Sequence, residues 1–222
     1  MQKTAIEWVR GPDGSPGYSW NPIKGLCPVG CWYCYARLIY ERFWKTNSML
    51  RVDYAEVNAP FPRKPSRIFV CSTMELFHPE IDKLKIRDDI FDVIAAEEKH
   101  TFIVLTKMPG RIDRPMPENV WLGVSVTGAG DWHRVRELSK HRATIRFVSM
   151  EPLMGSVPTL GPSVEFNWLI VGRLTGHGQK HDPTLDQLRT VALMCGRLKI
   201  PLFMKDNLRS IWPGKLRQEW SK

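Results

Sequence analysis

Short apolar segments recur along the chain and alternate with stretches that have helical spacing. The apolar segments are rich in Val, Ile and Phe and contain no interior proline, which is typical of parallel strands covered on both faces. They comprise residues 67–73, 101–107, 120–126, 144–150, 168–172 and 201–205, and residues 18–20 are a candidate first strand. The pattern therefore predicts six strands and one further candidate.

The intervening stretches predict helices over residues 35–44, 83–99, 131–141 and 184–199. Before the last of these, Asp182 is expected to be the N-cap, with Pro183 in the first turn. Strands that alternate with helices predict a parallel α/β fold. The strands are too few for an eight-unit barrel, which leaves a partial (β/α) barrel or an open doubly wound sheet. No repeat or long linker divides the chain, so residues 1–222 are expected to form a single domain.

Composition places the chain among globular proteins. Of its 222 residues, 43% are hydrophobic and 25% are charged, which excludes an intrinsically disordered chain. No run of about 18 apolar residues is present, which excludes a membrane-spanning helix. The first residues, MQKTAIEWVRGPDGSPG, lack the apolar region and the cleavage site of a secretory leader, so a cytoplasmic protein is expected.

Charge adds a candidate partner. The chain carries 32 Lys and Arg against 23 Asp and Glu, a formal net charge of +9, which suits a polyanion such as nucleic acid. Basic residues concentrate in residues 197–222, with Trp212 and Trp220 among them, and a second basic stretch covers residues 134–146. Basic side chains interleaved with aromatic rings can follow a phosphate backbone and stack on bases. The alternative is that the tryptophans close one end of the fold.

Three of the five cysteines form a C-x3-C-x2-C array, Cys27, Cys31 and Cys34, on a loop that opens a predicted helix. Three interpretations are open: buried small residues, a zinc site or an iron–sulfur cluster. Zinc requires a fourth ligand, and the remaining thiols, Cys71 and Cys195, are isolated. Three thiolates on a [4Fe-4S] cluster leave one iron open to a substrate or cofactor, and the array favours this third interpretation.

The array, with the aromatic Tyr33 before its third cysteine, resembles the signature of the radical SAM superfamily. The resemblance implies that Cys27, Cys31 and Cys34 hold a [4Fe-4S] cluster whose open iron chelates S-adenosyl-L-methionine (SAM). It further implies that an electron donor reduces the cluster and that a 5′-deoxyadenosyl radical abstracts hydrogen from a substrate. The implied fold is a partial (β/α)6 barrel of radical SAM type.

A closer resemblance runs along nearly the whole chain. Phage- and prokaryote-associated three-Cys-motif radical SAM-like proteins, whose role is poorly defined, have segments similar to TAIEW, SWNPIKGLC, CYARL, IFVCSTMELFHPE, VLTKMPGR, NVWLGVSV, IRFVSMEPLMG, WLIVG and PLFMKDN. Two features depart from that family. The spacing between Cys27 and Cys31 is shorter, and residues 172–176 (GRLTG) replace a Gly-Gly-Glu-Ser-Gly-like turn.

In a β/α barrel the chemistry lies at the carboxyl ends of the strands, and here those positions are polar. The candidate SAM-binding residues are Ser72, Thr73, Glu75, Lys107, Ser125, Thr127 and Glu151. The resemblance implies that the first three hold the SAM amino group and that Ser125 and Thr127 lie near its ribose. Lys107 is a candidate for the SAM carboxylate or a substrate phosphate, and Glu151 for SAM or substrate. The alternative for each is ordinary loop capping or a solvated side chain.

Further candidates lie near the same strand ends. Cys71 is a candidate catalytic residue, because a thiol beside a radical site can donate hydrogen; the alternative is a packed small residue. Lys205 and Asp206 close the last strand and are candidates for the same opening. Residues 176–182 (GHGQKHD) form either a substrate loop or an exposed polar loop.

Two functions of different classes follow from these observations. The first is a radical SAM enzyme that acts on an unidentified substrate, with nucleic acid as one candidate. The alternative is a non-catalytic nucleic-acid-binding protein with a structural metal site.

Overall fold

The computed structural model describes residues 1–43, 48–158 and 165–221. The strands are β1 (Gln2–Lys3), β2 (Tyr18–Trp20), β3 (Ile23–Lys24), β4 (Arg51–Val52), β5 (Arg67–Val70), β6 (Thr101–Thr106), β7 (Val120–Ser125), β8 (Ile145–Met150), β9 (Trp168–Val171) and β10 (Leu202–Met204). The helices are α1 (Tyr35–Phe43), α2 (Tyr54–Val57), α3 (Pro79–Asp82), α4 (Arg87–Ala96), α5 (His133–Leu138) and α6 (Leu185–Leu198).

Eight of the strands form one sheet, in the order β1-β2-β5-β6-β7-β8-β9-β10. From β2 to β10 every neighbouring pair in this sheet is parallel, and only β1 pairs antiparallel with β2. Strands β3 and β4 form a separate antiparallel pair. The predicted α/β class is thus confirmed, as one domain built on a parallel sheet. In this order β1 and β10 stand at the two ends, and the partial barrel stays a prediction.

The two faces of the sheet carry different cores. One face packs against the helices and buries a large aliphatic cluster that includes Ile90 of α4, Val135 of α5 and Val191 of α6. The opposite face carries an aromatic cluster, in which the Trp8 ring lies 5.1 Å from Phe69 and 5.9 Å from Phe147 between ring centroids. Parallel strands covered on both faces are expected to be apolar throughout, as these strands are.

Several boundaries differ from those predicted. The strand predicted for 67–73 ends at Val70, because Cys71 adopts a left-handed conformation (φ 52°) that turns the chain out of the sheet. The prediction of Asp182 as the N-cap of α6 is wrong. Thr184 caps this helix in a capping box with Gln187, and the Asp182 carboxylate instead pairs with Arg173 at 2.8 Å.

The helices predicted for 83–99 and 131–141 are longer than the observed α4 and α5, and α4 covers only the middle of residues 83–99. Helix α1 begins at the predicted residue, whereas its predicted end, Trp44, lies outside the described residues. The short elements β1, β3, β4, α2 and α3 were not predicted, because two to four residues carry too little periodicity to be recognised. Among the described residues, no helix has the length and apolar character needed to cross a membrane.

Gly123 of β7 makes room for a buried aromatic ring. A Cβ at this position would lie 2.3 Å from the Phe147 ring, which is fully buried on the neighbouring strand. We predict that Gly123→Ala lowers the free energy of unfolding by about 1–3 kcal/mol, as overpacking of a core does. Urea unfolding measures this. The double variant Gly123→Ala/Phe147→Leu should recover part of the loss, and independent, additive effects would contradict the contact.

His100 should make stability depend on pH. The imidazole is buried, its Nδ1 accepts the Ser66 N–H at 3.1 Å, and burial lowers its pKa. As the pH falls below about 6.5, His100 takes up a proton in the unfolded chain before it does so in the folded chain, because its pKa is lower in the folded chain. The free energy of unfolding therefore decreases as the pH falls from about 6.5 through the pKa of the folded protein. His100→Asn keeps an acceptor and cannot titrate. Urea unfolding at pH 7.5 and 5.5 should show a smaller loss for the variant, and equal losses would contradict the prediction.

Candidate functional site

A cavity of about 630 Å³ opens at the carboxyl ends of the parallel strands. The cavity is surrounded by the N-terminal segment, the cysteine loop (residues 27–34) with the start of α1, and the turns that follow β5, β6, β8, β9 and β10. In parallel α/β sheets the carboxyl ends of the strands are the usual place for a ligand site, since the loops there converge. Position and size therefore make this cavity the candidate functional site.

Most of the predicted site residues come together in this cavity. Those that line it are Cys27, Cys31, Cys34, Cys71, Ser72, Thr73, Glu75, Lys107, Ser125, Glu151 and Lys205. Thr127 and Asp206 are not among the lining residues. The Thr127 hydroxyl instead donates to Asp131 Oδ2 at 2.7 Å, and the Asp206 backbone N–H donates to Glu7 at 2.7 Å. These two residues therefore serve local structure outside the cavity.

The cysteine loop follows β3 and leads directly into α1. Its entry is fixed by Gly25, which has a positive φ of 117° and donates its backbone N–H to the Tyr40 hydroxyl at 2.8 Å. The three thiols are free and partly exposed. They line the large cavity and also a small one of about 20 Å³ between the loop and α1. All three cysteines of the loop therefore border the cavity at the strand ends.

The donor set suits a soft metal group rather than a closed zinc site. Three thiols face one cavity, and no histidine of the described chain lines it to complete a tetrahedral set. Three thiolates are the number that leaves one iron of a [4Fe-4S] cluster open. In this structure the thiols do not themselves converge into a metal-ligating group among the described residues. The chemistry of the donors therefore fits the cluster that the array implies.

Cys27 is partly buried and packs against the aliphatic core. Burial raises the pKa of the Cys27 thiol, and the backbone N–H groups of Val29 and Glu75 act in the opposite direction by pointing toward its sulfur. Such N–H groups also stabilise a thiolate that is bound to a metal. The turn after β5, which carries Glu75, is thus tied to the cysteine loop through Cys27.

The Glu75 carboxylate organises the neighbouring strand end. It is buried and accepts hydrogen bonds from the Thr106 hydroxyl (2.6 Å), the Phe77 N–H (3.2 Å) and the Lys107 N–H (2.7 Å). Three donors on one carboxylate hold the turn after β5 and the end of β6 together. Contact of Glu75 with the SAM amino group stays a prediction. In this structure both carboxylate oxygens of Glu75 already accept hydrogen bonds from other groups of the protein.

Lys107 brings a cation into the cavity beside the cysteine loop. Its Nζ lies 5.8 Å from the centroid of the Tyr33 ring, and in the described chain no carboxylate pairs with it. Next to it, Ser125 and Ser149 are register partners on β7 and β8, and both line the cavity. Ser149 Oγ is buried and has no hydrogen-bond partner among the described residues. An unpaired ammonium and an unsatisfied hydroxyl are groups that an anionic or hydroxylated ligand can satisfy.

On the far side of the cavity, Glu151 is held between two partners. Its carboxylate accepts the Trp8 indole N–H at 3.0 Å and pairs with the ammonium of Lys205. This arrangement joins the N-terminal segment to the ends of β8 and β10. A charged pair at this wall can bind a polar ligand only by exchanging one of these partners.

Cys71 lies at the end of β5, where the left-handed residue breaks the strand alternation. The thiol is buried, yet the residue lines the cavity. Burial, and next the nearby Glu75 charge, raises the pKa of Cys71 to about 12. The residue therefore keeps its proton at neutral pH, unlike a thiolate nucleophile.

The sequence did not single out several lining residues, notably Trp8, Asn21, Tyr35, Thr106 and Ser149. Ser149 could have been found, because it precedes Glu151 by two positions and so shares its face of the strand. Trp8 and Asn21 carry no such signal. Trp8 reaches the cavity from an N-terminal 3-10 turn, and Asn21 from a turn after β2.

The aromatic residues of the basic C-terminal segment are engaged in contacts with the fold. Trp220 packs against Phe203 with ring centroids 5.0 Å apart, and Trp212 is half-buried and donates its indole N–H to the Lys215 carbonyl. Arg217 pairs with Glu219 at 2.8 Å. Lys222 lies outside the described residues. Trp220 therefore fits the alternative interpretation, in which the tryptophans close one end of the fold.

The Arg134 to Arg146 stretch also forms internal contacts. Arg134 pairs with Asp131 at 2.9 Å, and Arg146 pairs with Glu165 at 3.2 Å. These two arginines are therefore poor candidates for a phosphate-binding surface.

We predict that Glu75→Ala lowers the free energy of unfolding more than Thr106→Val does. The first variant leaves three donors without their acceptor, whereas the second leaves only one, the Met108 N–H, which donates to the Thr106 hydroxyl at 2.8 Å. A buried donor without a partner costs about 1–3 kcal/mol. Urea unfolding of both variants measures the difference. Equal stability of Glu75→Ala and the unaltered protein would show that the carboxylate does not hold the two strand ends together.

The fold and the site together define a class: a parallel α/β protein with a three-thiol loop at the carboxyl ends of its strands. The family model described as "Protein of unknown function (DUF5131)" matches residues 3–210, and the chain belongs to this family. No curated protein is detectably similar to the chain.

Two solved structures of spore photoproduct lyase are similar to the chain. One, complexed with dinucleoside spore photoproduct, has 11% sequence identity and a TM-score of 0.47. The other, a double mutant with bound AdoMet and dinucleoside spore photoproduct, has 12% identity and a TM-score of 0.48. In both cases the match covers 88% of this chain and 65% of the lyase chain.

Proposed function

We propose that this protein is a radical SAM enzyme, in which Cys27, Cys31 and Cys34 hold a [4Fe-4S] cluster and SAM and a substrate share the cavity. One observation carries the proposal: the three thiols of one loop line the same cavity as the polar strand ends. The bound group would supply one-electron reduction of SAM and, through it, removal of a hydrogen atom from the substrate. The remaining steps fall to the side chains of the cavity.

Ser125 and Ser149 would hold the hydroxylated parts of SAM, and Lys107 would pair with an anionic group of the substrate such as a phosphate. Lys107 forms no ion pair with a carboxylate of the described chain, so it can pair with an anionic group of a ligand while it stays near the Tyr33 ring. Ser149 has an unsatisfied hydroxyl, and Ser125 lies beside it across the β7–β8 pair. Hydrogen bonds to charged groups are typically stronger than neutral ones, which suits a site that must orient a flexible cofactor.

The aromatic side of the sheet would shield the reacting atoms from water. Trp8 and Phe69 belong both to the buried aromatic cluster and to the cavity wall, and Leu105 lies beside them. A dry wall protects a reactive intermediate from side reactions. The Trp8 contact with Glu151 fixes this part of the wall.

Cys71 is the candidate hydrogen donor. A donor of a hydrogen atom must carry its proton, and burial keeps the Cys71 thiol protonated at neutral pH. The residue lines the cavity beside Ser72 and Thr73, so it is within the same space as a bound substrate. Its role as a donor is part of the proposal.

The alternative, a non-catalytic nucleic-acid-binding protein with a structural metal site, has less support. A closed zinc site lacks a fourth ligand at the cysteine loop in the described residues, and the C-terminal tryptophans offer little exposed ring.

Anaerobic reconstitution with iron and sulfide tests the proposal. We expect about four irons and four sulfides per chain, a visible charge-transfer spectrum, and 5′-deoxyadenosine formation from SAM under a reductant. The Cys31→Ala variant should lose the iron and sulfide, the charge-transfer spectrum and the formation of 5′-deoxyadenosine. Cys195→Ala is the matched control, because Cys195 is buried in α6 and does not line the cavity, and it should keep them. Stoichiometric zinc without acid-labile sulfide in the unaltered protein would overturn the proposal.

A further inference from the structure

Exposed aromatic rings mark one edge of the cavity, its mouth: Tyr35 lines the cavity, and Trp32 stands in sequence between the lining residues Cys31 and Tyr33. Trp32 is 55% exposed and Tyr35 is 49% exposed, and both belong to the segment of the three cysteines. Leu38 and Ile39 on the next turn of α1 are exposed as well. Contiguous exposed apolar side chains of this size mark an interaction surface more often than chance exposure does.

The Trp32 indole is held by its neighbours while much of it stays exposed. Its ring centroid lies 4.9 Å from His181, 5.6 Å from His177 and 5.5 Å from Tyr33, with interplanar angles of 60°, 83° and 90°. Tilted contacts of this kind fix a ring by its edges and leave area for a further flat partner. The 176–182 loop thus supports Trp32 at the mouth.

The aromatic surface continues from the mouth into the cavity. Tyr33 and Tyr35 line the cavity, and the Tyr35 hydroxyl donates to the Ser72 carbonyl at 2.9 Å. The Lys107 ammonium lies 5.8 Å from the Tyr33 ring centroid. The aromatic rings of Trp32 and Tyr35 at the mouth are therefore followed, deeper in the cavity, by the ammonium of Lys107.

These features match the chemistry of a single-stranded polynucleotide. Every base offers a flat face to an aromatic ring, and a groove with cations binds the backbone, so such sites combine the two. The net charge of +9 attracts a polyanion to the protein as a whole. Enzymes that act on a base need it outside a duplex stack, and a cavity of about 630 Å³ can receive a nucleoside.

We propose that the rim formed by Trp32, Tyr35, His177 and His181, the cavity rim, binds single-stranded nucleic acid. Bases stack on Trp32 and Tyr35, and a backbone phosphate reaches Lys107. This inference rests on the proposed function, since it names the substrate class that the cavity receives. It also moves the nucleic-acid surface away from the C-terminal segment, where Trp220 is engaged with Phe203.

Fluorescence anisotropy with labelled dT20, rU20 and a duplex of equal length tests the rim in the full chain before cluster loading. We expect binding to both single strands at low salt and weaker binding to the duplex. Trp32→Ala should weaken single-strand binding roughly 5- to 100-fold, whereas Trp32→Phe should keep most of the affinity. Tyr54→Ala is the matched control, because Tyr54 is 65% exposed on α2 and does not line the cavity, and it should change nothing.

The salt dependence separates stacking from phosphate contact. Lys107→Ala should reduce the slope of log K against log salt by about 0.7 on a single strand, and Trp32→Ala should leave the slope unchanged. Circular dichroism of each variant checks that it is folded. Absence of binding by micromolar protein at low salt, or equal affinity of Trp32→Ala and the unaltered protein, would overturn the proposal.

The two proposals can fail separately. A protein that cleaves SAM after reconstitution but retains no oligonucleotide would overturn the rim and leave the radical SAM function standing, with a peptide or small molecule as the substrate. A protein that binds single strands through Trp32 but holds only zinc would keep the rim and overturn the enzyme.

Discussion

Parallel pairing of β2 and of β5 to β10 is the constraint on which the site depends. Because each of these strands points the same way, their carboxyl ends meet at one edge, and the residues that follow them become neighbours regardless of their separation in sequence. Glu75 and Lys107 meet in this way through a 2.7 Å hydrogen bond, and Glu151 meets Lys205. An antiparallel arrangement would have sent half of these residues to the opposite edge.

The second constraint is the aromatic cluster on the face opposite the helices. Trp8, Phe147 and Trp168 fill that face, and Gly123 leaves the space that the Phe147 ring occupies. The cluster closes the sheet face below the cavity, so the polar groups at the strand ends lie above an apolar floor. A ligand that fills the cavity would displace water from between itself and groups such as Lys107, and this would strengthen their electrostatic contact.

The cysteine loop is connected to the rest of the site on several sides. Cys27 receives backbone N–H groups from Val29 and from Glu75 in the turn after β5, and Tyr35 donates to Ser72. On the outer side, Trp32 contacts the two histidines of the 176–182 loop. A loop held from both sides keeps its sulfur atoms and its aromatic rings in a fixed relation. Metal chemistry at the thiols and recognition at the rim would therefore take place on one rigid element.

The sequence by itself determined the α/β class, the buried strands and the cysteine array. Each of these follows from residue types at neighbouring positions: apolar runs, helical spacing and the interval between three thiols. It also identified most of the polar strand ends that line the cavity, since the carboxyl end of a strand can be read from where its apolar run stops. Tertiary structure alone decided the rest. Thr127 donates to Asp131, Asp182 pairs with Arg173, and Trp8 donates to Glu151 across the fold. The sequence pattern did not predict these contacts, because each depends on a partner that is distant in sequence or on the backbone angles of a turn.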